Sequence, residues 1–371
     1  MEYAYRNKFI ICIAKIVDFC GNILFFVKRR KGATSQINTI LIIKLDHLGD
    51  CFLLTPIFEY LKNGFPNVDI DVLCQKSCEP IFARNPNIHN IFTFNYWRFH
   101  RGESPDGLRV LLSFIKKNRK KYDLVIDARG EPIVALTSFL LGAKYRIGFS
   151  KEEVGEFFYT QKISWSREEP EWKKYVHLLD FLKISASSWN PKIFLTKEEL
   201  EVVSSLLPQK DFLVAGIGAG AEYKKYPIQN YIEIFNEIKK KKDISIVVLG
   251  SAEEKKDGNT FTSGIGVDSY NYVGSCDIRI SYGILSYAVG FIGNDSVLAH
   301  FSGSFNIPTI ELMSCINNEK RWGAVGEKTK VFVGFSPSHK CPIDSCPSCP
   351  HMLAISKSEI LSVALQCFND K

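Results

Sequence analysis

What the chain lacks narrows its class before any motif is read. No uncharged apolar run is long enough to cross a bilayer, because the hydrophobic stretch over residues 8–27 is interrupted by Lys15, Asp18 and Asn22. An acidic excess is missing too. Lys and Arg number 47 against 40 Asp and Glu, and the resulting charge of +7 favours anionic partners, whether phosphates, nucleic acid or an acidic membrane surface; of these, nucleic acid is not expected. Disorder is excluded by 46% hydrophobic and 23% charged residues, enough for two ordinary cores in 371 residues. No cleavable signal peptide is evident, and most of the eleven cysteines stand singly in apolar segments, so a reducing, cytoplasmic compartment is expected. A second C-x-x-C knuckle is also absent. Cys341, Cys346 and Cys349 with His339 and His351 supply one such pair, where a structural zinc site usually needs two, so no metal is expected.

The N-terminal residues 1–37 read as an amphipathic, basic extension. Residues 8–27 suit a helix lying in a membrane interface, with Lys28-Arg29-Arg30-Lys31 pairing with anionic headgroups on the inner face of a membrane. The alternative is a helix packed on its own domain.

The organising stretch runs from Thr39 to Pro56. Its apolar opening predicts a strand buried on both faces of a parallel sheet, followed by a short polar turn and a helix. Gly49 allows a tight turn, and Asp50 falls where a helix N-cap belongs, at the sheet edge where open α/β folds place ligands. Two roles fit Asp50: a cap that accepts backbone N–H bonds, or a general base.

Strands and helices then alternate, which predicts a parallel sheet. Asp69-Ile70-Asp71 resembles a metal-binding Asp-x-Asp but lies on an alternating, edge-like strand with both carboxylates toward solvent, and is read as a decoy. The polar, aromatic segment 95–108, with Trp97, Arg98, His100 and Arg101, reads as a loop flanking a cleft. Residues 122–130 form a buried strand ending in Asp127 and Arg129, whose guanidinium either holds an acceptor anion or pairs with Asp127. A Ser-, Asn- and Pro-rich shift between Ser185 and Gln209 marks the linker, giving domains at 38–190 and 191–371.

The second domain opens with Gly216-Ile217-Gly218-Ala219-Gly220-Ala221, a G-x-G-x-x-A pattern. Its helix starts only at Pro227, and no acidic strand end follows at the spacing that a ribose contact needs, so nicotinamide binding is not expected. These glycines with Lys224 or Lys225 suit a diphosphate instead, Lys224 being favoured. Glu253 and Glu254 follow a strand end where a carboxylate can take ribose hydroxyls, and spacing does not choose between that and helix capping. Gly293-Asn294-Asp295-Ser296 enters a helix beginning near Asp295, whose free N–H groups favour a phosphate, with His300 one turn on.

Taken in series, residues 40–56, Asp123–Gly130 with Arg146-Ile147-Gly148-Phe149, Lys224-Lys225-Tyr226-Pro227, and Gly293–Ser296 with His300 resemble the lipopolysaccharide heptosyltransferases of glycosyltransferase family nine. The resemblance implies an α/β fold of two Rossmann-like domains facing across a cleft (GT-B). It implies inverting transfer, without metal or other cofactor, from a nucleotide-sugar, typically ADP-heptose, to a lipid-linked lipopolysaccharide core acceptor. By position it implies Asp50 as catalytic base, Gly49 and Arg129 on the acceptor side, Lys224 at the diphosphate, Glu254 at the ribose, and Asp295, Ser296 and His300 at the nucleotide. The alternatives are a different donor sugar for another surface glycan, or a binding protein without turnover. Val297 stands where the family has Gly, and Tyr226 where it has Trp; a β-branched side chain at 297 bears on donor geometry.

Overall fold

In the computed structural model the described residues are 8–24, 37–98, 104–149, 154–166, 168–335 and 350–368. The chain divides into two compact units, Met1–Asn190 and Pro191–Lys371.

The first unit is built on strands β1 (Thr39–Lys44), β2 (Asp69–Cys74), β3 (Asn90–Thr93), β4 (Leu124–Asp127), β5 (Tyr145–Phe149) and β6 (Gln161–Ile163), in the order β3-β2-β1-β4-β5-β6. Each pairing is parallel. The second repeats the plan with β7 (Phe212–Gly216), β8 (Ser245–Leu249), β9 (Ser269–Asn271), β10 (Gly290–Asn294), β11 (Thr309–Ser314) and β12 (Thr329–Gly334), ordered β12-β11-β10-β7-β8-β9 and again all parallel. Both are doubly wound sheets whose strand order reverses once, between β1 and β4 and between β7 and β10. Open α/β sheets bind ligands beyond the carboxyl ends of the strands at that reversal.

The apolar runs explain the burial. Ile40, Leu41, Ile42 and Ile43 are all fully buried, because helices cover both faces of a parallel sheet. Leu41 and Ile43 meet Leu111, Ile115 and Val134 from the helices Leu108–Asn118 and Pro132–Leu140. In the second unit Leu213, Ala215, Ile246 and Val248 pack against Tyr231, Ile234, Phe235 and Ile238, one face of the helix Ile228–Lys241.

Two motif residues prove to be scaffolding. Gly148 lies under Tyr159, where a Cβ would come within 2.3 Å of the ring, and Arg146 spends its guanidinium on the carbonyls of Phe158 and Ala143. One strand reading is corrected. β2 lies between β1 and β3 and is not an edge, and Asp71 is buried. Its oxygens accept from Lys121 Nζ at 2.7 Å, Tyr122 Oη at 2.8 Å and Asn90 Nδ2 at 2.9 Å, so protein groups take up a carboxylate that alternation alone turned toward solvent.

Candidate active site

In the first unit the reversal between β1 and β4 gathers the ends of both strands. β1 closes on Lys44, and Asp46 folds back, its Oδ1 accepting the His47 N–H at 3.0 Å. The helix Leu48–Leu54 starts there, with His47 at the N-cap position. Asp50 is therefore not the cap. It stands in the first helical turn, and Gly49 is a helical residue beside it, not the pivot of a tight turn. The correction matters chemically: Asp50 Oδ1 is sealed from solvent and has no hydrogen-bond partner.

Charge surrounds it. Lys44 and Asp46 are both buried and paired at 2.9 Å, and Arg129 Nη1 reaches Asp46 Oδ2 at 2.6 Å. Arg129 Nε also reaches Glu131 Oε1 at 3.2 Å, and Arg98 holds the other oxygen of Glu131 at 2.8 Å. Burial, and after it the negative charge of Asp46, push the Asp50 carboxyl up to about 7, against the opposing pull of Lys44. Asp46 goes the other way. Burial alone would raise it, yet Lys44 and Arg129 hold it well below the usual carboxylate range. Two carboxylates in one turn thus divide into a permanent anion and a group that can exchange a proton near neutrality.

The guanidinium of Arg129 pairs with Asp46 and Glu131, while Asp127 Oδ1 accepts the backbone N–H of Arg129 at 2.9 Å and that of Gly130 at 2.7 Å. Asp127 is lifted to about 6 by burial, while Tyr159 donates to its Oδ2 at 2.5 Å. The sequence reading passed over Lys44, Asp46 and Glu131, and with them the buried pair Lys174–Glu171 and Tyr175, whose ring lies 5.7 Å from Lys44 Nζ. A lysine closing an apolar run, followed two residues later by an aspartate, was the available signal. His100 and Arg101 lie outside the described residues; Trp97 is exposed.

In the second unit the reversal lies between β7 and β10. Gly216 and Gly293 flank the Phe291 ring so closely that a Cβ on either would come within 2.6 Å or 2.3 Å of it, so the first glycine of the G-x-G pattern serves packing. Asn294 pins the following loop. Its Oδ1 accepts from Tyr226 N and Tyr231 Oη, both at 2.9 Å, and its Nδ2 donates to Ile217 O at 2.7 Å. That anchoring brings Lys224 Nζ to 3.0 Å from Asp295 Oδ2, on which Asn317 Nδ2 also converges at 2.6 Å. Tyr226 fills its position as a buried side chain.

The helix here is Val297–Ser304 with Ser296 as N-cap, two residues later than expected, because the Asp295 N–H is taken by Leu312 O at 3.0 Å. Ser296 Oγ and His300 Nδ1 are buried without partners. Burial holds His300 down to about 4 against the charge of Asp295, so the ring is neutral. Glu311 on β11 was not foreseen. Its Oε2 accepts the Ala324 N–H at 2.8 Å, its Oε1 is buried and unpartnered, and burial, then Asp295, push it up to about 8.

The two glutamates left open by spacing separate. Glu253 is exposed. Glu254 is buried and closes a capping box with Ser251, accepting its N–H at 2.8 Å and its Oγ at 2.6 Å. Its Oε1 lies 3.8 Å from Lys225 Nζ. A Cβ at Gly218 would come to 2.9 Å from Glu254 Oε2, which explains the second glycine of the pattern. Cys341, Cys346, Cys349 and His339 lie outside the described residues, and among the described residues no group of His, Cys, Asp or Glu could hold a metal.

Known proteins share this plan. Glycosyltransferase family 9 (heptosyltransferase) matches residues 111–347, more than half of the chain. The chain is similar to lipooligosaccharide heptosyltransferase 2 of Haemophilus ducreyi, at 22% identity over 286 residues, which cover 72% of this chain and 80% of that one. Among solved structures it is similar to the glycosyl transferase family 9 protein of Veillonella parvula, with a TM-score of 0.74 and 17% identity over 90% of this chain and 98% of that one. An E. coli heptosyltransferase with ADP-2-deoxy-2-fluoro heptose gives a TM-score of 0.68 at 15% identity, over 88% of this chain and 99% of that one. Those likenesses extend through both sheets, as a GT-B fold requires. The chain belongs to glycosyltransferase family 9 and is a glycosyltransferase.

Proposed function

We propose that the chain is an inverting heptosyltransferase that moves heptose from ADP-heptose onto a lipopolysaccharide core sugar, with residues 38–190 serving the acceptor and 191–371 the donor. One observation carries this reading: Asp50 offers a buried carboxylate oxygen with no protein partner, on a group lifted to about 7. A general base works best with its pKa near the operating pH.

In the proposed step Asp50 takes the proton of an acceptor hydroxyl. The hydroxyl oxygen bonds to the anomeric carbon as the bond from that carbon to the diphosphate oxygen breaks, and the nucleoside diphosphate leaves with the electron pair. Lys224, released from Asp295, meets the charge that develops on the leaving group, together with the N–H groups at the start of Val297–Ser304. Ser296 Oγ and neutral His300 supply further hydrogen bonds to the nucleotide, and Glu254 Oε1 takes the ribose. Arg129, whose charge also acts on Asp50, keeps Asp46 anionic and with Gly49 serves the acceptor side.

Asp50→Ala should abolish transfer while ADP still raises the thermal midpoint; normal turnover would remove Asp50 from the mechanism. A second reading, another donor sugar on the same site, rests on Val297 at the helix start and the unpartnered Glu311 Oε1 nearby. Thermal shift across a panel of nucleotide-sugars separates the two, since the preferred donor stabilises most.

A further inference from the structure

Over residues 12–24 the helix Lys8–Leu24 is inverted relative to an ordinary surface helix. In that stretch Ala14, Asp18 and Gly21, spaced i, i+4 and i+7, are the buried residues that face its own unit. Asp18 Oδ1 accepts the Gly155 N–H at 2.9 Å, and Gly21 lies against the Phe157 ring, where a Cβ would come to 2.4 Å. Over residues 12–24 a small residue, a glycine and a carboxylate thus make the attachment. The large apolar side chains point away: Ile16 is 62% exposed, Phe19 68%, Ile23 63% and Leu24 77%, with Ile13 beside them. At about 100° per residue they cover an arc of about 140° opposite the attachment. Lys15 and Asn22 flank that arc on one side.

A packed core is not what this face serves, and among the described residues no helix is long and apolar enough to cross a membrane. The 17 residues of Lys8–Leu24 span only about 26 Å, short of the ~30 Å hydrocarbon layer, and include Lys15 and Asp18. The sequence adds a sign. After three further residues it reads Lys28-Arg29-Arg30-Lys31, in a chain of net charge +7. A broad apolar face flanked by cationic chain matches a surface that is apolar underneath and negative on top. We propose that the outward face of Lys8–Leu24 docks the protein on an anionic lipid bilayer, lying in the headgroup plane with Ile16, Phe19 and Ile23 inserted.

Cosedimentation of the full chain with phosphatidylcholine vesicles, with and without phosphatidylglycerol, tests this independently of turnover. The wild type should partition at least ~10-fold better onto the anionic vesicles. Phe19→Glu combined with Ile23→Glu should lose that binding by at least ~10-fold, with thermal midpoint and transfer to a water-soluble acceptor unchanged, because both positions face solvent. Replacing Lys28, Arg29, Arg30 and Lys31 by Gln, which leaves the helix intact, should remove the preference for anionic lipid. Three results would overturn the proposal: equal binding of wild type to both vesicles, undiminished binding of the Glu variant, or a wild-type dimer in light scattering that the Glu variant dissolves, which would assign the face to a second copy.

Discussion

Asp50→Asn should make the protein more stable and less active at once. The carboxyl titrates at about 7 in the folded chain against an ordinary 3.8. That rise, at about 1.36 kcal/mol for each tenfold change in acidity, corresponds to a penalty on the order of 4 kcal/mol for holding the charge in place. Partial exposure of the residue brings the expected value to about 2–4 kcal/mol. The sign follows from proton counts. Below pH 3.8 both states are protonated and the penalty is absent. Between 3.8 and 7 the unfolded chain has lost the proton that the folded chain keeps, so stability falls as pH rises. Above 7 the loss is complete. Asn carries no charge, so the variant should match wild type at pH 3.5 and exceed it at pH 8, raising the midpoint of the first unit by roughly 5–15 °C in calorimetry. Its turnover should drop by about 10²–10⁴-fold, and the acidic limb expected of wild type below pH ~7 should be missing from the residual rate. A variant no more stable than wild type at pH 8, or stabilised equally at pH 3.5, would refute the claim that Asp50 is a strained, proton-exchanging carboxylate.

Lys224→Ala should weaken ADP binding by about 10–100-fold in isothermal calorimetry while leaving the KM for acceptor unchanged, since a charge-assisted contact contributes roughly 1.5–3 kcal/mol. Asn294→Ala breaks three buried hydrogen bonds at once and should destabilise the second unit by about 3 kcal/mol, read as a denaturation midpoint that moves for that unit only. Glu311→Gln should be neutral in stability at pH 4 and stabilising at pH 9, because the glutamate loses its proton in the fold only above about 8; equal midpoints at both pH values would show that its burial is not the cause.

The sheets were legible in the sequence because parallel strands covered on both faces must be apolar throughout, as Ile40–Ile43 and Ile246–Leu249 are. Local register at the site was harder. Asp50 was read as a cap from its place after a polar turn, but Asp46 folds the turn against Lys44 and starts the helix earlier, carrying Asp50 into its first coil. Asp71 was placed in solvent because its neighbours alternate. Its partners Lys121 and Tyr122 come from about fifty positions away, beyond the reach of any window of periodicity. Glu311 drew no notice inside Thr309-Ile310-Glu311-Leu312, since a strand tolerates one polar residue without announcing what lies above it.

Motifs also mix scaffold with chemistry, and hydrogen-bond accounting separates them where spacing cannot. Arg146 reaches two backbone carbonyls and Asn294 meets donors and an acceptor within its own unit, so these motif residues hold loops in place. Leaving a buried polar atom unpaired costs about 1–3 kcal/mol, which a fold corrects unless something else uses the atom. Asp50 Oδ1, Ser296 Oγ, His300 Nδ1 and Glu311 Oε1 are among the atoms left in that state, the first three just past the carboxyl ends of β1 and β10 where the strand order reverses. Removing any one side chain should therefore harm ligand binding or turnover more than stability, the reverse of what Arg146 or Asn294 would show.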